Sequence, residues 1–183
     1  MTLKRWLSRS LLGVLAVSGF TLATTTAIAQ TTDGLTIFGG VDSEFRLSYY
    51  IDNNERRSSD ARYYLRVAGR KVTQEVLELQ VNYPEEFEEE GGHFSKTRIE
   101  LREGSGRGGA TIAVDEIIVN EEANIFEIYP TEPIAANSSF VIVLHDVRNP
   151  NRYGNHFFLL DALYQGGPLR EFIGVWPLEV SAE

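Results

Sequence analysis

Residues 138–164 read SSFVIVLHDVRNPNRYGNHFFLLDALY, and the fold turns on how this stretch is parsed. Residues 140–144 (FVIVL) are an unbroken aliphatic and β-branched run. Such a run suits a strand buried on both faces or a short buried helix, and length arbitrates. A run bounded by Ser138-Ser139 on one side and Asn149-Pro150-Asn151 on the other is strand-sized. Residues 157–160 (FFLL) repeat the pattern. Between the two runs, Asn149-Pro150 and Gly154 form turns, because proline fixes φ while glycine and asparagine tolerate positive φ. The expectation is an antiparallel hairpin with a long connection, at the centre of a β-sandwich.

The flanking sequence supplies strands to cover this centre. Residues 45–51 (FRLSYYI) alternate, with Phe45, Leu47 and Tyr49 on one face. Residues 62–67 (RYYLRV), 76–81 (VLELQV), 111–119 and 125–129 read as further strands. Residues 98–102 (RIELR) alternate cleanly, Ile99 and Leu101 inward and the charges outward. Residues 172–180 (FIGVWPLEV) close the chain, and Pro177 marks an edge or a bulge. Residues 35–38 are a further edge strand. With turn signals at regular intervals and no long helical period, the expected class is all-β. The expected architecture is an immunoglobulin-like antiparallel β-sandwich of about seven to nine strands. One domain is expected over residues 30–183.

Residues 1–29 have the pattern of a cleaved signal peptide. Lys4, Arg5 and Arg9 form a basic n-region, residues 11–22 are mostly apolar, and Ala27-Ile28-Ala29 is a small-x-small cleavage site. The apolar run is shorter than the roughly 20 residues that span a bilayer, and no later run reaches that length. The leader has no twin-arginine pair and no cysteine for a lipid anchor. The mature chain is expected to start at Gln30, in the periplasm or outside the cell.

The sequence contains no cysteine, which excludes disulfides, thiolate catalysis and cysteine-ligated metal sites. Removing the three leader cations takes Lys plus Arg from 17 to 14 against 26 acids, so the net charge moves from −9 to about −12. Such a chain is repelled by nucleic acid and anionic lipid, and it suits cations or a basic partner.

The leader, the SYYI strand, the block from Pro133 to Phe158 and the closing IGVWPLEV together resemble a family of small exported cyanobacterial proteins catalogued as a domain of unknown function. The match rests on Pro133, Ser139, Asn149, Pro150, Gly154 and Phe158. The resemblance implies an exported β-rich domain and brings no catalytic residues with it.

Three groups of residues are candidate sites. His145, Asp146 and His156 flank the expected hairpin, and a symmetric register about Asn151 would set His145 opposite His156. Two imidazoles and a carboxylate would suit Zn²⁺ or Cu²⁺. Glu85, Glu86, Glu88, Glu89 and Glu90 are oxygen donors dense enough for Ca²⁺, although their spacing matches no calcium loop and charge runs are commonly solvated tips. Tyr50 and Tyr64 lie on strands expected to pair, and an outward tyrosine can anchor a protein partner or stack on a sugar ring. Cross-strand stabilisation of the sheet is the alternative for them. Residues 104–109 (GSGRGG) contain a literal G-x-G-x-x-G, but strand sequence follows it, so it reads as a hairpin loop.

No G-x-S-x-G, S-x-x-K or H-E-x-x-H is present. The function expected from the sequence is a non-enzymatic exported module that binds an envelope protein or glycan. A calcium or transition-metal binding sandwich is the alternative, and a glycan-active enzyme with two carboxyls across a groove a third reading. Oligomeric state is open at this stage.

Overall fold

Period-two alternation sorts the side chains of each strand into an inner and an outer set, and that sorting builds two packed sheets. The structure is a computed structural model describing residues 40–181 and the strand at 35–36, so the signal-peptide pattern at 1–29 lies outside the described residues. The described residues belong to one compact unit. The first strands are β1 (Leu35–Thr36), β2 (Gly40–Val41), β3 (Tyr49–Asp52), β4 (Ala61–Val67) and β5 (Val76–Asn82). A single helical turn, α1 (Glu85–Glu89), precedes β6 (Arg98–Glu103), β7 (Thr111–Ile112), β8 (Val114–Asn120) and β9 (Ile125–Pro130). The chain ends with β10 (Phe140–Val147), β11 (Gly154–Tyr164) and β12 (Arg170–Val180).

One sheet has the order β3-β4-β10-β6-β7 and the other β12-β11-β5-β9-β8, all pairs antiparallel, with β1 and β2 as a separate ribbon. The all-β sandwich expectation therefore holds, with ten strands in the two sheets rather than seven to nine. One reason is that residues 111–120 divide at Ala113. β7 pairs with β6 in the first sheet, while β8 pairs with β9 in the second.

The expected central hairpin is corrected. β10 is the middle strand of the first sheet, with β4 on one side and β6 on the other, so neither edge is free for β11. β11 pairs with β5 and β12 in the opposite sheet. Residues 148–153 are thus an arch between sheets rather than a hairpin turn. Asp146, at φ +54°, is a bulge that breaks the β4 register between Leu144 and Val147 and returns Val147 to the core.

The core draws on the inward set of both sheets: Tyr63 and Leu65 of β4, Phe140, Ile142 and Leu144 of β10, Phe158 and Leu160 of β11, and Trp176 of β12. Trp176 reaches across the interior and donates its Nε1–H to the carbonyl of Arg66 at 3.1 Å, which joins the sheets. An aromatic cluster closes one end, where Phe87 stacks on Phe94 at 5.0 Å and Phe94 meets Phe126 edge-on at 4.7 Å. Phe87 comes from α1, so the acidic run also plugs the core. Burying a phenylalanine contributes about 1.5–3 kcal/mol. No helix among the described residues is long and apolar enough to cross a membrane.

Candidate functional site

The outer face of the first sheet carries a charged and aromatic array. Alternation puts Arg62, Tyr64 and Arg66 of β4 opposite the buried Ala61, Tyr63, Leu65 and Val67. It does the same for Arg98, Glu100 and Arg102 of β6, opposite Ile99 and Leu101. Val141, Val143 and His145 of β10 lie between these rows. Tyr50 and Asp52 of β3 extend the face at the other side of β4, where Tyr50 pairs with Tyr64 and Asp52 with Arg62.

Tyr64, Val141 and Val143 form a second apolar cluster on this outer side, separate from the core. The β6–β7 loop packs above it. Glycines at φ +84°, +66° and +81° (Gly104, Gly106, Gly108) let the loop turn back tightly, a conformation that side-chain-bearing residues adopt at a cost. Arg107 then places its guanidinium 5.1 Å from the Tyr50 ring centre and 5.5 Å from that of Tyr64. Its Nη2 donates to Asp52 Oδ1 at 2.8 Å and to the Tyr50 hydroxyl at 3.3 Å. Arg66 Nε donates to the Gly106 carbonyl at 2.6 Å, and Arg102 Nη1 to that of Arg107 at 3.3 Å. The G-x-G-x-x-G stretch is therefore a hairpin loop, as its sequence context predicts, and its arginine tethers it across the sheet.

Five guanidiniums (Arg62, Arg66, Arg98, Arg102 and Arg107) meet two carboxylates, Asp52 and Glu100, on this face. Glu100 takes Arg102 through Nε and Nη2 at 2.9 and 2.6 Å and also pairs with Arg98. Asp52 takes Arg107. Among the described residues, Arg62 and Arg66 have no carboxylate partner at ion-pair distance. The Tyr64 hydroxyl, with Asp52 and Asp146 further off, favours the charged form of Arg62. The outer face of the second sheet has the opposite balance: Glu78 and Glu127 pair with Arg170, and Glu116 and Asp161 lie on the same side of their strands. Charge is thus segregated between the faces of an acidic protein.

His145 sits inside the arginine array, 3% exposed. Its Nδ1 lies 3.4 Å from Arg98 Nη2 and its Nε2 lies 3.3 Å from Glu100 Oε2, the latter without hydrogen-bond alignment. A neutral ring with the proton on Nε2 suits both neighbours, since Arg98 can only donate. Burial, together with Arg98, Arg62 and Arg102, pushes the imidazole down to about 4.

The expected register of His145 opposite His156 is corrected. His145 pairs with Arg98 in the first sheet and His156 with Leu178 in the second. His156 points into the core, edge-on to Phe87 at 5.2 Å, with Glu90 Oε2 3.9 Å away. Asp146 occupies the bulge and is exposed. Within the acidic run, Glu85, Glu86 and Glu89 face solvent and Glu88 accepts from the Tyr83 hydroxyl at 2.8 Å. Among the described residues no group of three or more His, Asp or Glu is placed to hold a metal ion. A groove of about 680 Å³ lies between β7 and residues 131–139, and its acids, Glu103 and Glu132, are both exposed.

Of the two tyrosines, Tyr50 is 41% exposed and Tyr64 is 3% exposed, their ring centres 6.0 Å apart. The structure confirms their pairing and leaves Tyr50 as the accessible member. The five arginines are the residues that sequence reasoning missed. The signal for them was the i, i+4 spacing of Arg62/Arg66 and of Arg98/Arg102 on strand-like segments. That spacing places each pair on one face, but not the two pairs on a shared face.

Comparison with solved structures finds distant similarities. A collagen-binding domain from a Staphylococcus aureus adhesin aligns at 12% identity and TM-score 0.42, over 74% of this chain and 96% of that one. The collagen adhesin from S. aureus aligns at 11% and 0.41, over 75% of this chain and 49% of that one. A structure described as manganese lipoxygenase of Gaeumannomyces graminis with partial zonadhesin of Komagataella pastoris aligns at 6% and 0.40, over 75% and 48%. Likeness at that level says nothing of what this chain binds. No match was found among curated proteins. The family model described as "protein of unknown function (DUF2808)" matches residues 35–180, nearly all of the sandwich, and the chain belongs to that family.

Proposed function

We propose that this protein is an exported, non-enzymatic binding module that works through the outer face of the β3-β4-β10-β6-β7 sheet. The observation that carries this reading is the convergence of five arginines and an exposed tyrosine under a tethered loop, in a chain of net charge −9. Arg66 and Arg102 anchor the loop while Arg107 grips Asp52, so the guanidiniums are held in place before any ligand arrives. Preorganisation of this kind lowers the ordering cost of binding. The signal-peptide pattern at 1–29 supplies the export half of the proposal.

The test is retention on the envelope fraction of the native host, with the protein produced from its full-length gene. Wild type is compared with Tyr50→Ala and with Arg62→Gln/Arg98→Gln, after thermal melting has shown that each variant folds. Retention that falls in the variants supports the proposal. Equal retention of wild type and both variants overturns it.

A further inference from the structure

Taking the basic face as a binding surface, as proposed above, we infer that its occupant is an acidic polysaccharide, bound through carboxylate or sulfate groups on successive sugars. The first argument is the arrangement of cations. Arg66 and Arg102 flank Val141 in one row, while Arg98 pairs with His145 and Arg62 lies on β4 beside the Asp146 bulge in another. Neighbouring strands are about 4.8 Å apart and same-face residues about 6.8 Å apart along a strand. The four Cα atoms therefore mark a rectangle roughly 10 Å across and roughly 13 Å long. Cations repeated over that span suit an extended chain with repeated anions better than one small anion. Arginine reads planar oxyanions in a bidentate way, and Arg62 and Arg66 have no carboxylate partner of their own among the described residues.

The second argument is what the face lacks. A stable protein interface needs an apolar core to bury. Here the apolar floor (Tyr64, Val141 and Val143) is already sealed, with Arg107 lying over Tyr64. What remains accessible is guanidinium and the half-exposed ring of Tyr50, which lies between Arg66 and Arg107 at 5.9 and 5.1 Å. The main-chain hydrogen bonds of β10 are taken by β4 on one side and β6 on the other, and β4 is paired with β3 beyond, so no strand can be added between the two rows of arginines. A flat, polar surface of guanidinium donors suits a hydroxyl- and carboxylate-rich chain.

The experiment is titration of the full-length protein with polygalacturonate, dextran sulfate, neutral dextran, poly-glutamate and a single-stranded DNA oligonucleotide, at two salt concentrations. The expected result is salt-sensitive binding of polygalacturonate or dextran sulfate and none of neutral dextran. Arg62→Gln/Arg98→Gln should weaken that binding by about tenfold or more. Arg56→Gln/Arg152→Gln, which removes the same charge from exposed positions off the face, should bind like wild type. Stronger binding of poly-glutamate or of DNA overturns the inference in favour of an acidic peptide or a nucleic acid. Equal loss in both double variants also overturns it, because net charge alone would then explain binding. Should no anionic polysaccharide bind while envelope retention still depends on the face, this inference fails and the binding-module reading stands. Should retention be independent of the face as well, both fail.

Discussion

The Tyr63 hydroxyl donates to Asn149 Oδ1 at 2.7 Å, across 86 positions of sequence, with both side chains buried. Asn149 is wholly buried and fully used. Its Nδ2 donates to the carbonyls of Glu55 at 2.8 Å and Asn53 at 3.2 Å, and its amide donates to the Ser58 carbonyl. One side chain thus ties the β10–β11 arch to the β3–β4 loop. Burial raises the Tyr63 hydroxyl far above its ordinary range, which keeps it a neutral donor at any working pH. Asn149→Ala would leave a buried hydroxyl and two carbonyls short of partners, at about 1–3 kcal/mol for each group that stays dry. The expected loss in urea unfolding is about 2–4 kcal/mol. Tyr63→Phe leaves one acceptor short and should cost less, about 1–2 kcal/mol. Equal stability of Asn149→Ala and wild type would show that the clamp contributes nothing.

The loop tether yields a prediction separate from stability. Arg107 is exposed, and exposed ion pairs contribute little to stability, so Arg107→Ala should melt near wild type. Locally, the loop loses its ties to Asp52 and Tyr50 and keeps those through Arg66 and Arg102. Amide hydrogen exchange at Gly108 and Gly109, whose N–H groups bond to Ser105 and Glu103 carbonyls, should speed up. Exchange in β10 should stay slow. Unchanged exchange at both glycines would mean that backbone turns alone hold the loop.

Much of the fold was legible because alternation is a local property. The inward sets of residues 98–102 and 125–129, and the buried run at 140–144, all follow from period two. Pairing partners were not legible, since strand order depends on which edges remain free. The segments at 140–144 and 157–160 read as a hairpin because they are adjacent in sequence. Yet β10 is flanked by β4 and β6, and the arch, held by Asn149, sends β11 to the other sheet. The expected register of His145 opposite His156 failed for the same reason. Asn149 and Phe158 of the recognised block are here an arch clamp and a core residue, which explains why that block spoke of fold and not of activity. The basic face needs three strands from distant sequence, so only its rows were visible beforehand.

The carboxylate run and the two histidines give a metal prediction. Glu85, Glu86 and Glu89 face solvent around a single turn, and His145 and His156 belong to different sheets. A ligand that binds the native state must raise the melting temperature by mass action. Dialysed protein should therefore melt at the same temperature with and without millimolar Ca²⁺, and likewise with stoichiometric Zn²⁺ or Cu²⁺. A rise of several degrees with any of them would reveal a site that this arrangement of donors does not provide.

The histidines also set a pH dependence with a definite sign. Burial and three nearby arginines lower His145 to about 4 in the folded protein, below its ordinary 6.5. Burial lowers His156 as well, with Glu90 and Glu86 opposing. A histidine lowered by folding binds more protons in the unfolded chain, so its contribution is fully present above about pH 6.5. It falls as the pH drops through the window from 6.5 to about 4 and is constant again below. At ~1.36 kcal/mol per pKa unit, His145 alone accounts for on the order of 3 kcal/mol across that window. Carboxylates also destabilise the fold in acid, so the diagnostic quantity is a difference of differences. Between pH 7.5 and 4.5, His145→Gln, which keeps polar atoms near Arg98 and Glu100 but cannot titrate, should lose less urea stability than wild type. Equal losses in the two proteins would place the acid sensitivity elsewhere and leave His145 a passive filler of the arginine array.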